Sequence, residues 1–501
     1  MPKCMFIDPS EVKKAGYLRF TDIPINCYHA TEIEEKEKFS PEELRGIFQD
    51  MYHIRSFEQM LHEIKYHGAY KDIRYQYSGP LHLSIGQEAA AVGQAFLLEP
   101  EDFVFGSHRS HGEILAKGFS AIRKLSDTEL YRVMEDYDEG AILKIIEDKQ
   151  HNVRELAEDF LLYGVAAEIF ARKTGFQKGL CGSMHVFFPP FGMYPNNAIV
   201  GASASIAVGA ALYKKVNRQP GIVISNLGDG ALGRGPVWEA MMFSAMDQFQ
   251  YLWEEGYQGG LPIIFNFFNN FYGMGGQTVG ETMPFGILAR IGAGIHPNQL
   301  HAERVNGSNP LAVIDAMNRK TKLLRKNCGP VLLDVITYRT TAHSTSDHES
   351  YRTEEELQAW KKQDPLSEYS VKLMRMGLWT QDAINAFQES TDRRMERICR
   401  LALDDTKSPT LSQCGNIRSL EPFIYSNQRV PSFSNGIPEL LSTKQENPRY
   451  LEISCKARFG LDANSVPKPK TETYTVSDAL FESILDKFSQ DASLIAYGED
   501  V

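Results

Sequence analysis

"SNLGDGALGRGP", residues 225–236, closes an apolar run, "GIVISNL" at 221–227, on a carboxylate set between two glycines. A second run, "LPIIFNFFNNFYGMGG" from Leu261, closes in the same manner on Asn269 and Asn270. Apolar stretches of this length bounded by turn residues read as buried strands. "DFVFG" from Asp102 and "GPVLLDVITYR" at 329–339 add two more, with helical periodicity in the segments between. Short apolar strands alternating with helices predict an α/β fold, a parallel sheet with helices on both faces. Ligands of such sheets sit beyond the carboxyl ends of the strands, where loops feed helix N-termini. Asp229, Asn269 and Asn270 fall there.

The rest of the composition narrows the class. A chain of 501 residues, 43% hydrophobic and 23% charged, is long enough for two or three domains with substantial cores. Its net charge of -11 argues against nucleic acid or an anionic membrane as the main partner. The seven cysteines are scattered without a C-x-x-C pair, which predicts reduced thiols and no zinc or redox motif. Cys181, in "KGLCGSMHVF", has no adjacent base and reads as an inert thiol. The start, "MPKCMFIDPSEVKKAG", lacks the apolar core of a signal peptide, and no run is long enough to span a bilayer. These features predict a cytoplasmic protein, or one of an organelle matrix.

Along the chain, residues 1–40 read as an N-terminal arm. A helix is expected from a cap at Ser40, with Pro41 in its first turn, through "LRGIFQDMYHIRSFEQMLHEI". A second helix is expected over 88–98. The charged, proline-free stretch 119–160 predicts inserted amphipathic surface helices, and 366–405 is again helical and charged. Residues 406–470, rich in Ser, Pro, Asn and Gln, read as a linker. In 471–501 a strand, a capped helix and a strand predict the beginning of a second α/β domain.

Several residues could carry chemistry. Gly228 and Gly230 would let the backbone around Asp229 turn tightly and approach a phosphate, and a helix is expected near Pro236. A carboxylate, an amide oxygen and a backbone carbonyl make a hard oxygen set that suits magnesium completed by ligand phosphates. Taken singly, "GDG" is a common turn and "NN" after a strand is commonly an Asx turn; their pairing at two strand ends is what gives them weight. His82, His108, His111 and His343 lie in Gly- or Ser-rich loops. A lone loop histidine is more often a surface residue than a catalyst, although imidazole suits proton transfer near neutral pH. Arg109, between two of them, is a natural diphosphate clamp. The small-residue helix "SIAVGAALYKK" at 205–215 is credited with packing only.

Taken in order, "HLSIGQEA", "HRSHGEILAKG", "KGLCGSMHVF", "IVGASASIAVGAAL", "GDG", "NNFYGMGG" and "TYRTTAHSTSDHESYRTEEEL" resemble the alpha subunit of the thiamine-diphosphate-dependent 2-oxo acid dehydrogenases, the pyruvate and branched-chain decarboxylating components. The resemblance covers residues 42–405. The tail, "YTVSDALFESILDKFSQDASLIAYGEDV", resembles the opening of the family's beta subunit and implies an alpha–beta fusion.

The resemblance implies a thiamine-diphosphate-binding fold, thiamine diphosphate and Mg2+ as cofactors, and a 2-oxo acid, pyruvate or branched-chain, as substrate. It implies oxidative decarboxylation, with the acyl group passed to the lipoyl group of a partner acyltransferase in a multienzyme complex. It further implies a beta subunit or beta-like domain and a homo- or hetero-oligomer. By the same resemblance Asp229, Asn270 and the carbonyl of Tyr272 are the metal ligands. His108, Arg109, Ala198, Val200, Gly228, Gly230 and Ala231 line the cofactor. His82 and His343 are active-site histidines, and Glu499 matches a glutamate of the beta side. The glutamate that activates the aminopyrimidine would lie beyond Val501.

The sequence departs from the family in a longer interval between "GDG" and "NN", in Thr341 where a histidine is usual, and in Cys181 where glycine is usual. Two other readings share the resemblance: an acetoin-cleaving or carboligating thiamine diphosphate enzyme, and a catalytically incomplete chain or scaffold lacking the beta half.

Overall fold

The computed structural model describes residues 6–147, 152–344, 347, 351–413, 443–454, 460–464, 467–468, 475–491 and 494. The chain divides into two units, Met1–Asn416 and Ile417–Val501. In the first, helix α1 (Pro41–His67) begins where its capping residues dictate. Ser40 Oγ accepts from Glu43 N at 3.1 Å, and the Glu43 carboxylate accepts from Ser40 N at 2.8 Å, a reciprocal cap that contributes about 1 kcal/mol. The helix stops at Gly68, whose φ of 66° is left-handed and favours glycine. Leu44, Ile47, Phe48, Met51, Ile54, Leu61 and Ile64 recur at helical spacing and are buried, each contributing on the order of 2 kcal/mol.

Five parallel strands form the sheet: β1 (Phe103–Phe105), β2 (Val223–Gly228), β3 (Ile263–Asn269), β4 (Glu303–Asn306) and β5 (Val331–Ile336), in the spatial order β1-β2-β3-β5-β4. Alternate side chains leave on opposite faces. Val223, Leu227, Phe265 and Phe267 pack with α5 (Ala202–Val216) and α6 (Gly235–Ser244), whereas Ile224, Ile264 and Phe268 pack with α2 (Glu88–Ala95) and α7 (Pro310–Leu324). Helices therefore cover both faces, as predicted. A buried amide network crosses the sheet: Gln94 Nε2 and Asn266 Nδ2 donate to Asn226 Oδ1 at 2.6 and 2.8 Å.

Strand β4, "ERVN", carries too little apolar character to be read as a strand. Its Glu303 is buried and satisfied by charge, with both Arg319 terminal nitrogens at 2.6 Å and Lys320 Nζ at 3.0 Å.

The stretch 119–160 differs from the surface helices expected there. It contributes to α3 (His111–Lys124) and to α4 (Val153–Ile169), and Phe119 and Phe160 lie in one core cluster with Phe48, Met395 and Ile398. Two of its acids, Glu158 and Asp159, are paired within the fold rather than left to solvent. Arg394, on α8 (Gln381–Leu403), donates to Glu158 at 2.6 Å and to Asp159 at 2.7 Å, and Arg397 also bonds Asp159. The intervening helix Asp127–Asp136 does match the expectation, burying only Leu130 and Met134.

In the second unit α9 (Val476–Gln490) is capped by Thr475, whose Oγ1 accepts from Asp478 N at 3.0 Å. The strands expected beside it, Glu499 and residues 414–442 of the expected linker lie outside the described residues.

Candidate active site

Strands β2 and β3 end side by side, with Gly228 in register with Phe268. The chain after β2 turns through Asp229–Gly233 into α6, with Pro236 in its first turn. Asp229 is 1% exposed. Its Oδ1 accepts from Asn270 N at 3.4 Å, and its Oδ2 accepts from Thr278 Oγ1. Burial outweighs these bonds and lifts the Asp229 carboxyl to about 6. A cation arriving here would favour its ionised form.

Two Asx turns shape the other strand end. Phe271 N donates to Asn269 Oδ1 at 3.2 Å, and Tyr272 N donates to Asn270 Oδ1 at 3.0 Å. Between them Phe271 takes a left-handed φ of 65°, a conformation costing a non-glycine residue roughly 1–2 kcal/mol. Asn269 turns inward, donating to Asp334 at 2.8 Å, whereas Asn270 faces the cavity.

The glycines act differently from the expectation of a tight turn. Neither Gly228 nor Gly230 has a positive φ. A Cβ built at Gly228 would meet nothing within 4 Å, and one at Gly230 only ordinary contacts. What they supply is open space beside the strand ends.

Above this floor His82, His108 and His343 converge, with ring centroids 4.7–5.5 Å apart. Burial, reinforced by the Arg109 charge, pushes them down to about 3, 2 and 4, so all three are neutral at pH 7. Arg109 is itself buried. Nη1 donates to Leu83 O at 2.7 Å and keeps a second N–H, whereas Nη2 donates to His343 O at 2.6 Å and also lies 3.5 Å from His343 Nδ1.

The fourth loop histidine is directed elsewhere. His111, at the start of α3, is fully buried, with Nδ1 2.8 Å from Glu58 and Nε2 3.0 Å from Ser183 Oγ. Glu58 also accepts from Ser84 N at 2.9 Å. One carboxylate thus ties α1 to the loops carrying His82, His108 and Met184. Sequence reading missed Glu58, although it sits on the buried stripe of α1 between Ile54 and Leu61.

One cavity of about 370 Å³ gathers these groups. Its walls include His82, His108, Arg109, Ala198, Val200, Gly228, Asp229, Gly230, Ala231, Asn270, Tyr272 and His343. Sequence reading missed Glu113, which also lines it. That carboxyl accepts from Ser110 Oγ at 3.2 Å and is pushed up to about 7 by burial. Cys181 lies outside the walls. Its thiol is raised to about 11 by burial, as suits an inert side chain, and its N–H helps Glu168 hold the 177–182 loop.

Within the long interval between "GDG" and "NN", α6 is followed by a turn at Gln248–Leu252 and a loop leading to β3. Gly260 N donates to Asn327 O at 2.7 Å and Gln250 Nε2 to Gly329 O at 2.8 Å. These contacts lie at the amino ends of β3 and β5, the sheet edge opposite the cavity, and no residue of 247–260 lines it.

A parallel sheet with polar groups gathered at its carboxyl edge defines an α/β enzyme of the strand-end-crevice type. The family model described as "Dehydrogenase E1 component" matches residues 58–153 and 145–410, and the chain belongs to that family, one of 2-oxo acid dehydrogenase enzymes. The pyruvate dehydrogenase E1 component subunit alpha of Rickettsia bellii is 30% identical over 334 residues, 66% of this chain and 82% of that one. The Rickettsia prowazekii subunit of the same name is 29% identical over 382 residues, 75% of this chain and 95% of its own. The mitochondrial counterpart of Kluyveromyces lactis is 28% identical over 398 residues, 79% of this chain and 77% of its own.

Proposed function

We propose that the protein carries out the thiamine-diphosphate- and Mg2+-dependent oxidative decarboxylation of a 2-oxo acid, pyruvate or branched-chain, and passes the acyl group to the lipoyl group of a partner acyltransferase. The observation that carries this reading is a shared cavity: the strand-end pair Asp229 and Asn270, the Arg109 clamp and two active-site histidines line the same 370 Å³. The relatives named as pyruvate dehydrogenase alpha subunits support the substrate class.

The donor set fits the cofactor. Asp229, the Asn270 amide oxygen and the Tyr272 carbonyl are hard oxygen ligands that would hold Mg2+ with the diphosphate completing its shell. The open space beside Gly228 suits a phosphate approaching the backbone. His82 and His108 line the same cavity as this donor set.

When bound, thiamine diphosphate supplies the electron sink that decarboxylation of a 2-oxo acid requires. The chain's own groups bind and orient. Arg109 offers its remaining N–H donors to the diphosphate, with Ala198, Val200 and Ala231 lining the cofactor. His82 and His343, neutral at working pH, hold the substrate's keto oxygen and exchange a proton with it.

We assign residues 41–405 to the diphosphate-binding domain, 1–40 to an arm, 406–470 to a linker and 471–501 to the opening of a beta-like domain. Helix α9 with its Thr475 cap supports the last assignment. A beta-type partner or domain, and an oligomer built with it, follow from the same reading. No helix among the described residues is long and apolar enough to cross a membrane, and a cytoplasmic or matrix location is the one we propose.

The test is turnover by the full native protein with its beta-type partner. Carbon dioxide release from a 2-oxo acid, dependent on thiamine diphosphate and Mg2+ and coupled to acylation of a lipoyl domain, is the expected result. Carboligation without lipoyl transfer would overturn it.

A further inference from the structure

We propose that His82, His108 and His343 form a second cation site, one for a borderline-soft divalent ion of the Zn2+ class, distinct from the oxygen set at Asp229. One ring nitrogen from each residue lies within 4.8 Å of one from each of the others. The rings are not stacked. Their planes meet at 77°, 83° and 48°, so the three imidazoles present different orientations to the shared space. His82 Nδ1 and His108 Nε2 are shut off from solvent without a hydrogen-bond partner among the described residues, and an unpaired buried polar atom costs about 1–3 kcal/mol. Two of the three histidines thus carry a ring nitrogen with no partner among the described residues, and coordination of a cation is one way to satisfy such a group.

The ligand type selects the ion. Imidazole nitrogen suits Zn2+, Cu2+ and Ni2+, whereas Mg2+ keeps to oxygen. Tetrahedral Zn–N bonds place neighbouring nitrogens roughly 3.3 Å apart, so the rings must draw in by side-chain rotation. Three protein ligands leave a fourth position open to water or to a substrate carboxylate, the arrangement of accessible zinc sites. Arg109 Nη2 lies 3.5 Å from His343 Nδ1 and can only donate to it, so His343 offers Nε2 or gives up that hydrogen bond, and the guanidinium charge weakens cation binding. One consequence rests on the proposed function: His82 and His343 bound to metal are withdrawn from the substrate, and the ion inhibits turnover.

The experiment uses the full chain and Co2+ as a spectroscopic stand-in. The expected result is the intense visible absorption of tetrahedral Co2+, saturating at one equivalent, displaced by Zn2+ and indifferent to excess Mg2+. It should weaken more than roughly tenfold in His82→Gln and in His108→Gln. It should persist in the double variant His62→Ala/His67→Ala, which removes the exposed group of His62, Glu63 and His67 whose ligand atoms also lie within 4.8 Å of one another. Absorption that survives His82→Gln and disappears in the double variant would overturn the site. Should a Gln variant unfold, X-ray absorption of the Zn2+-loaded wild-type chain decides: three imidazoles support the triad, and two imidazoles with a carboxylate, or oxygen alone, refute it. The absorption is read without turnover, so failure of the metal site and failure of the proposed activity are separate outcomes.

Discussion

Asn270 donates its backbone N–H to Asp229 Oδ1 at 3.4 Å, joining the ends of two neighbouring parallel strands across the floor of the cavity. The contact ties the buried carboxylate to the turn that carries the Asn270 amide, while Thr278 holds its other oxygen. The first prediction concerns that pair. Asp229→Asn keeps the shape and removes the charge, and should weaken Mg2+-dependent cofactor binding by roughly tenfold to a hundredfold. Because it also deletes a buried charge, it should leave the thermal midpoint of the cofactor-free protein unchanged or raised. Titration calorimetry and thermal melting of the same two proteins check both halves.

Glu58 holds three site loops through His111, Ser84 and, by way of His111, Ser183. Breaking a buried pair by deleting one partner costs about 3–5 kcal/mol. Glu58→Ala should therefore lose that much in denaturant unfolding. A loss within about 0.5 kcal/mol, the scale of a surface change, would show that the knot is not formed.

The pH dependence of stability should carry the signature of Glu113. Its folded value, about 7, lies above the ordinary 4.5, so between those pH values the folded state binds the extra proton and stability falls as pH rises. Above pH 7 the penalty is complete, and below pH 4.5 it vanishes. Glu113→Gln should raise the melting temperature at pH 8 and leave it unchanged at pH 4. Equal effects at both pH values would contradict the assignment.

Helix α4 is interior, with Phe160 fully buried. Phe160→Ala should destabilise by about 3–5 kcal/mol, measured by thermal or chemical unfolding. A surface helix would tolerate the change.

Where local chemistry decides structure, the sequence was readable. The Ser40 cap and Pro41 announced the start of α1, and the apolar runs announced β1, β2, β3 and β5. Strand β4 was hidden because Glu303 is buried against Arg319 and Lys320 rather than in hydrocarbon. The same exchange hid the burial of α4, expected as a surface helix, whose Glu158 and Asp159 find Arg394 far along the chain. Spacing alone could not separate His111 from the other loop histidines, since only the fold reveals that Glu58 captures it. Glu113 escaped because an acid in a first turn ordinarily serves the helix dipole.

The most direct test of the central claim is a crystal structure of the full protein with its beta-type partner, grown with thiamine diphosphate and Mn2+ in place of Mg2+ and read by anomalous scattering. One manganese peak is expected within about 2.5 Å of an Asp229 carboxylate oxygen and of Asn270 Oδ1, with the diphosphate beside Arg109. A peak elsewhere, or a cofactor bound outside this cavity, would contradict it.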